Sequence, residues 1–296
     1  MATSALPTIG FVGLGHMGGA MADRLLDAGY SLHGMSRTRE RAEPLIARGL
    51  EWHSTPRGVA GAADVVLSSL PDDGALDVVA SGPEGILAGL TPGKVWVDLS
   101  TVSPAASAAL AHRVQAQDAR LLDAPVSGSV PQVRSGTLTI MVGGDERSYA
   151  RVEPILRVLG KPNHVGANGQ GLALKLAINI SLAVQILALS EGLLLADRSG
   201  IDRKLAVQVM TESAIGSPML KARVPLLLQL PDEAWFEIRL MRKDLDLALD
   251  LGRSLGVPLP STISADEVLA VARTLGFERR DIAAVFAVLD QLASDR

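Results

Sequence analysis

Residues 8–18 read TIGFVGLGHMG, a short apolar run followed at once by a glycine-rich turn. Gly13, Gly15 and Gly18 have the spacing G-x-G-x-x-G, and an apolar helical pattern resumes at Met17. A strand, such a turn and a helix, in that order, are typical of a site for the pyrophosphate of a dinucleotide. A glycine-rich turn without a ligand is the alternative, and the position between strand and helix argues against it. We therefore predict cofactor contacts from Gly13, Leu14, Gly15, His16, Met17 and Gly18.

The residues after the next strand indicate which dinucleotide binds. A second apolar run ends in Ser36-Arg37-Thr38, where an NAD site usually has an acid for the ribose hydroxyl. No acid occurs between Asp27 and Glu40, so a 2′-phosphate would meet a guanidinium and hydroxyls. We expect NADP(H) in preference to NAD(H), with contacts from Ser36, Arg37 and Thr38. The alternative is that Arg37 belongs only to the solvated first turn of the next helix.

Strand-like and helical patterns alternate through the first half of the chain. Further strand-like runs occupy residues 63–70, 94–100, 120–126 and 137–143, with helical segments between the earlier ones. This alternation predicts an α/β domain over residues 1–166, a Rossmann-type doubly wound parallel sheet with right-handed crossovers.

Loops at the carboxyl ends of such strands usually build the site. The candidates are Pro71-Asp72 with the preceding Leu70, then Ser100-Thr101, then Ser127-Gly128-Ser129. The last group is the most informative, because small residues expose backbone N–H groups to which a carboxylate binds. Each group is also compatible with ordinary turn chemistry.

Residues 166–192 read GANGQGLALKLAINISLAVQILALSEG, which is too long and apolar for a strand. Lys175 and Asn179 interrupt the run four residues apart, so they share one face of the predicted helix. A lysine on a helix that is apolar nearly all round is costly to bury, so we expect it to face a cleft. The stretch also has the length of a membrane span, but its polar residues and the absence of a second such segment favour a core helix.

The remainder shows helical patterns bounded by Gly or Pro and no strand pattern. We predict an all-α domain over residues 167–296 that begins with the long helix. Lys243 and Asp244 fall on one of its helices, where such a pair is more often a surface charge pair than a ligand.

Composition excludes several functional classes. Of 296 residues, 48% are hydrophobic and 20% charged, which is typical of a folded chain, and the net charge of -4 argues against nucleic acid or an anionic membrane as partner. The absence of cysteine excludes thiolate chemistry and, with no secretion signal at the start, favours a cytoplasmic location. We expect no metal, because the five histidines form no ligand motif, and we expect His164 in a loop.

Six motifs in order resemble the β-hydroxyacid dehydrogenase family, which includes 3-hydroxyisobutyrate dehydrogenases and glyoxylate/succinic semialdehyde reductases. They cover nearly the whole chain: GFVGLGHMG at 10–18, DLSTVSP at 98–104, DAPVSGS at 123–129, GTLTIMVGG at 136–144, GQGLALKLAIN at 169–179 and KDLDLAL at 243–249. Ser129 stands where 3-hydroxyisobutyrate dehydrogenases usually have glycine, and is closer to the glyoxylate/succinic semialdehyde reductase pattern.

The resemblance implies a role for each matching residue. Lys175 would be the catalytic acid/base, and Asn179 would hold the lysine or the substrate. The turn at Ser127-Gly128-Ser129 would bind the substrate carboxylate, and Thr101 would lie near nicotinamide and substrate. Lys243, with Asp244, would close the site against the cofactor. The resemblance also implies a homodimer or homotetramer formed by the helical domain.

The predicted activity is hydride transfer between NADP(H) and a small carboxylated aldehyde or ketone, or its hydroxyacid, with Lys175 moving the proton. An imine reductase-like enzyme on the same fold is one alternative, although such enzymes generally lack this lysine. A non-catalytic module that senses NADP is another, and it would tolerate Lys175→Ala.

Overall fold

The computed structural model describes residues 6–294, and the chain divides into two compact units between Lys175 and Leu176. The predicted boundary at residue 166 coincides with the end of a strand, and it stays a prediction.

The described part of the first unit, residues 6–175, contains nine strands. They are β1 (Ile9–Val12), β2 (Leu32–Met35), β3 (Glu51–Trp52), β4 (Val65–Ser68), β5 (Val95–Asp98), β6 (Arg120–Asp123), β7 (Val126–Ser127), β8 (Leu138–Gly143) and β9 (Gly160–Gly166). Its helices are α1 (His16–Asp27), α2 (Glu43–Ile46), α3 (Pro56–Ala62), α4 (Asp73–Ala80), α5 (Ile86–Gly89), α6 (Pro104–Gln115), α7 (Val130–Ser135) and α8 (Glu146–Leu159), with a 3-10 turn at Arg39–Arg41.

The strands form one sheet in the order β3-β2-β1-β4-β5-β6-β8-β7, with β9 paired to β8. Strands β1 to β6 are mutually parallel, and every residue of β1, β4 and β5 is buried, as expected for a sheet covered on both faces. The order reverses at β1, which has β2 on one side and β4 on the other, so a ligand crevice is expected at their carboxyl ends. The α/β prediction is confirmed.

The structure differs from the predicted sheet in its last third. Strand β8 runs antiparallel to β6 and β7, and residues 120–126 form two strands rather than one. The strands β3 and β9 were not predicted. His164 lies in β9 and not in a loop; its ring stacks on Tyr149 at 5.1 Å and its Nε2 lies 2.8 Å from the carbonyl oxygen of Gly144.

The second unit is helical. Helix α9 (Gln170–Arg198) leads into it and is followed by α10 (Arg203–Glu212), α11 (Pro218–Leu228), α12 (Ile238–Leu255), α13 (Pro260–Thr274), a 3-10 turn (Ile282–Ala284) and α14 (Val285–Ser294). Up to residue 294 this unit has no strand, only one isolated bridge between Glu237 and Asp281. Helix α9 is long and apolar enough to cross a membrane, but Ile186, Leu189 and Leu193 are buried in the core of this unit.

One buried ion pair fixes a connecting segment of the second unit. The carboxylate of Asp281 accepts from the guanidinium of Arg223 at 2.9 Å and from the N–H groups of Trp235 and Phe236 at 2.9 and 3.0 Å. Burial lowers the pKa of Arg223, and the carboxylate opposes this shift. Asp281 therefore holds the segment before α12, although it follows Phe236 by 45 residues in the sequence.

Candidate active site

The three glycines of the predicted cofactor turn differ in what an added Cβ would contact. Gly13 has φ of 95°, and a Cβ there would lie 2.3 Å from the carbonyl oxygen of Ser69. A Cβ on Gly18 would lie 2.0 Å from the carbonyl oxygen of Gly13, whereas a Cβ on Gly15 would point into open space. Because Gly13 and Gly18 have no Cβ, the turn packs closely against Ser69 and α1 packs closely against the turn. Gly15 leaves open space beside the first turn of α1. This is the shape that a pyrophosphate requires.

The end of β2 presents the predicted cationic group. Ser36 is buried, and Arg37 and Thr38 are exposed. Arg39 is engaged by Glu43 at 3.1 Å, whereas within residues 6–294 Arg37 has no ion pair. An anionic ligand can therefore meet the Arg37 guanidinium without breaking an ion pair of the described chain.

A buried aspartate joins the loops that follow β4 and β5. Asp98 Oδ1 accepts from the hydroxyls of Ser68 and Ser100 at 2.7 and 2.6 Å, and Ser100 Oγ in turn accepts from the N–H of Leu70 at 2.9 Å. Asp98 Oδ2 has no hydrogen-bond partner among residues 6–294. Burial raises the pKa of Asp98 against these hydrogen bonds. The network places the predicted residues Leu70 and Pro71 beside the loop that carries Thr101.

A second buried aspartate fixes the start of α9. Asp123 Oδ1 accepts from the N–H of Gly169 at 2.7 Å, and Oδ2 accepts from the N–H of Leu172 at 3.0 Å. These are donors that a helix leaves without partners in its first turn. Burial raises the pKa of Asp123, and the backbone donors oppose the shift. Asp123 therefore sets the position of the helix that carries Lys175.

The turn after β7 contains the predicted carboxylate-binding residues. Ser127 ends β7, and Gly128 has φ of 134°, a conformation that favours glycine. The N–H of Ser129 donates to Gln132 Oε1 at 2.8 Å, so this N–H is already engaged by α7. A carboxylate bound at this turn would use other donors, such as the Ser127 and Ser129 hydroxyls.

Lys175 is only 8% exposed and lies on the second turn of α9. Asn179, four residues later, is fully buried; its Nδ2 donates to Asp244 Oδ2 at 2.5 Å, while its Oδ1 has no hydrogen-bond partner among the described residues. Asp244 Oδ1 pairs with Lys243 Nζ at 2.8 Å, and Asp244 is 2% exposed. Lys243 and Asp244 are thus not a surface charge pair, because Asp244 is buried and orients the Asn179 amide.

The structure therefore connects several predicted residues within the first unit. Gly13 lies against Ser69 and Leu70, and Leu70 is tied to Ser100. The roles of Asp98 and Asp123 were not predicted, although each stands at the end of a strand in a motif already noted. The sequence signal for these two roles was an acid at the end of an apolar run. A carboxylate at such a position is shielded from solvent and needs hydrogen-bond donors from the protein. The catalytic and binding roles of the other residues stay predictions.

Comparison with known proteins gives matches along the whole chain. The profile for the NAD binding domain of 6-phosphogluconate dehydrogenase matches residues 8–170, and that for the NAD-binding region of NADP-dependent 3-hydroxyisobutyrate dehydrogenase matches residues 169–289. A 2-(hydroxymethyl)glutarate dehydrogenase of Eubacterium barkeri is 35% identical over 96% of this chain and 95% of its own. A 2-hydroxy-3-oxopropionate reductase of Escherichia coli is 35% identical over 97% and 99%. The solved structure of Mycobacterium tuberculosis 3-hydroxyisobutyrate dehydrogenase with L-serine superposes with a TM-score of 0.83, at 31% identity, over 96% and 99%.

Proposed function

Since the chain belongs to the β-hydroxyacid dehydrogenase family of NAD(P)-binding oxidoreductases, we propose that it interconverts a small hydroxy acid and the corresponding carboxylated aldehyde or ketone, with NADP(H) as the preferred cofactor and Lys175 as acid/base. The bound cofactor would supply or accept the hydride. The observation that carries the proposal is a buried lysine on a helix whose first turn is fixed by Asp123.

The names of the relatives support the substrate class. 2-(Hydroxymethyl)glutarate, 2-hydroxy-3-oxopropionate and 3-hydroxyisobutyrate each carry a hydroxymethyl or formyl group on the carbon next to a carboxylate. A site for such molecules needs an anion-binding group at one end and a proton donor about two carbons away. In this chain we assign the first role to the turn at Ser127-Gly128-Ser129 and the second to Lys175. The group on the middle carbon would distinguish substrates within the class.

Lys175 suits proton transfer to a carbonyl oxygen. Reduction places negative charge on that oxygen, and a positioned ammonium stabilises the charge and delivers the proton. Asn179 presents a buried acceptor one helical turn away, and its amide orientation is fixed by Asp244. We assign Asn179 the role of holding the lysine side chain in a productive rotamer. As part of the proposal, Thr101 would contact the nicotinamide and substrate, and Lys243 would contact the cofactor.

The lysine is tested with Lys175→Met, which keeps an unbranched side chain only one atom shorter and removes the charge. We expect kcat to fall about 10²- to 10⁴-fold with 3-hydroxyisobutyrate or succinic semialdehyde, the usual contribution of a general acid or base. NADPH affinity, measured by calorimetry, should stay within about twofold. Lys204→Met, on the exposed face of α10, is the matched control and should keep full activity. Retained turnover in Lys175→Met would refute the assignment.

Cofactor preference is tested at Arg37. A charge-assisted hydrogen bond contributes about 1.5–3 kcal/mol, so Arg37→Ala should weaken NADPH binding roughly 10- to 150-fold and leave NADH binding nearly unchanged. Arg41→Ala, four residues further along, is the control. Equal effects of Arg37→Ala on both cofactors would contradict the role of the guanidinium at the 2′-phosphate.

Initial rates with a panel of substrates separate the remaining functions. The proposal expects turnover with glyoxylate, succinic semialdehyde, methylmalonate semialdehyde or tartronate semialdehyde that exceeds turnover with cyclic imines. The reverse result would favour an imine reductase. NADPH binding without turnover of any substrate, together with tolerance of Lys175→Ala, would favour the NADP-sensing module.

We also propose a homodimer or homotetramer formed through the helical unit, in the cytoplasm. Leu205 and Val209 lie one turn apart on α10 and are 54% and 57% exposed, and Leu195 on α9 is 71% exposed. Large apolar side chains in such positions are commonly covered by a second subunit. Light scattering of Leu205→Asp/Val209→Asp should show a smaller particle than the unchanged protein.

A further inference from the structure

A second cluster of ligand-type side chains lies at the edge of the sheet, outside the candidate active site. His33 is on β2 and pairs in register with Glu51 of β3, and the N–H of His53 continues the ladder with the carbonyl oxygen of Gly34 at 2.9 Å. Residues two apart on a strand share a face, so Glu51 and His53 project to the same side as His33. The expectation that the histidines form no cluster is therefore wrong for His33 and His53.

The distances within the cluster fit one small cation. His33 Nδ1 lies 2.9 Å from His53 Nε2 and 3.6 Å from Glu51 Oε2, and the three ligand atoms are all within 4.8 Å of one another. Two ligands at about 2.0–2.2 Å from a tetrahedral ion are about 3.3 Å apart. The two separations from His33 Nδ1 lie on either side of that value, and the exposed Glu51 side chain can move to bring its carboxylate onto the same ion.

The backbone around the cluster holds the His53 ring in place. Gly58 lies on the first half of α3, and a Cβ there would be 2.9 Å from His53 Nδ1. The absence of this Cβ lets the helix pass directly over the ring, so that Nδ1 faces α3 and Nε2 faces His33. The side chain of His33 is 17% exposed, and that of Glu51 is 69% exposed. Two imidazoles are thus positioned by packing, and the carboxylate is free to move toward an ion from solvent.

The two facing ring nitrogens suit metal ligation, because one of them accepts a hydrogen bond from the other and so already presents a lone pair. Neutral imidazole is the form that binds a metal. Without an ion, one ring must donate its N–H to the other across 2.9 Å; with an ion, both lone pairs serve as ligands.

We propose that His33, Glu51 and His53 form a binding site for a divalent transition-metal ion of the zinc type, with solvent completing the coordination. Two imidazoles and one carboxylate with an open position are a common donor set for Zn²⁺, and imidazole also suits Co²⁺, Ni²⁺ and Cu²⁺. The ion would join β3, a two-residue strand at the sheet edge, to β2. It would stabilise the sheet edge formed by β2 and β3. His33 lies four residues before Arg37 in the sequence.

The test uses the full-length protein without a histidine tag, freed of metal with EDTA. Titration with ZnCl₂ by calorimetry should show one tight site per chain, and Co²⁺ should give a visible absorption band at the same stoichiometry. His33→Ala and His53→Ala should each weaken binding more than tenfold. Glu51→Gln should weaken it roughly 10-fold. His112→Ala, an exposed histidine on α6, is the matched control and should bind as the unchanged protein does.

Gly58→Ala gives an independent geometric test, because it moves the His53 ring without removing a ligand; it should also weaken Zn²⁺ binding. The proposal is overturned if the unchanged protein shows no stoichiometric site, or if His112→Ala affects binding as much as His53→Ala does. If the histidine variants fail to fold, Glu51→Gln decides: its side chain is exposed, and an unchanged Zn²⁺ affinity would refute the three-ligand site. Far-ultraviolet circular dichroism and urea unfolding serve as the folding controls throughout.

Discussion

Replacement of Asp123 should destabilise the first unit far more than replacement of an ordinary helix cap. Asp123 is fully buried, and its two oxygens accept from the N–H groups of Gly169 and Leu172 at the start of α9. Both N–H groups are buried as well, so no solvent replaces the carboxylate when it is removed. A Cβ on Gly171 would lie 2.7 Å from Oδ2, which shows how closely the helix packs on this side chain.

The magnitude follows from the number of donors that lose their partner. A buried donor left without an acceptor costs about 1–3 kcal/mol, so Asp123→Ala should lower the free energy of unfolding by about 2–6 kcal/mol. Asp123→Asn keeps one acceptor and should cost about half as much. Asp145 is the control: it caps α8 through the N–H groups of Arg147 and Ser148 but is exposed. Asp145→Ala should cost about 0.5–2 kcal/mol, the usual range for an N-cap.

Urea unfolding measured by tryptophan fluorescence separates these cases. In a Trp235→Phe background the remaining tryptophans, Trp52 and Trp96, both report on the first unit. We expect the unfolding free energy to be highest for the unchanged protein, lower for Asp145→Ala and lowest for Asp123→Ala. The reasoning is wrong if Asp123→Ala and Asp145→Ala lose the same free energy. In that case the donors at the start of α9 have found other partners.

Three further replacements probe other elements. Burial raises the pKa of Asp98 on folding, so ionising this carboxyl disfavours the folded state, and stability falls as pH rises above the ordinary pKa of an aspartate and through the folded-state pKa. The unfolding free energy of Asp98→Asn should therefore rise relative to that of the unchanged protein over this window, and a pH-independent difference would contradict this. Asp281→Ala leaves the buried Arg223 unpaired and should cost about 3–5 kcal/mol in urea unfolding of the second unit, whereas a loss below 1 kcal/mol would show that the guanidinium reaches solvent. Gly15→Ala should weaken NADPH binding without changing stability, because its Cβ points into open space beside α1, whereas Gly19→Ala should change neither NADPH binding nor stability. If calorimetry gives the two variants the same NADPH affinity, the cofactor binds elsewhere.

The elements of the fold that were predictable are those with a periodic pattern. The buried strands β1, β4 and β5 are continuous apolar runs, and α9 is an apolar stretch too long for a strand. Strand β3 has two residues and shows no period. Strand β9 contains Lys161, Pro162, Asn163 and His164, and its pairing with β8 rather than its own composition makes it a strand. Such elements depend on tertiary context, which overrides local propensity.

Candidate site residues could be proposed from the sequence where one short stretch carries the pattern. The glycine turn and the loop at Arg37 are local, and so is the pair Lys175 and Asn179. The network of Asp98 was not predictable from spacing, because its partner Ser68 is 30 residues away, and the donors for Asp123 are 46 and 49 residues away. An acid directly after a buried strand indicates a need for hydrogen-bond donors. Only the packing shows which backbone N–H groups supply them.

The pairing of His33 and His53 shows why composition alone is a poor argument against a metal site in this class of fold. Motif-based reasoning looks for ligands a few residues apart, as on one helix or one hairpin. In a parallel sheet, neighbours across a strand pair are separated by a whole crossover, here 20 residues between the two histidines. Asp98 and Asp123, which pair in register on β5 and β6, are 25 residues apart for the same reason. Ligand sets on adjacent parallel strands therefore emerge only when the register is known, and here the register depended on β3, the strand with the weakest pattern in the sequence.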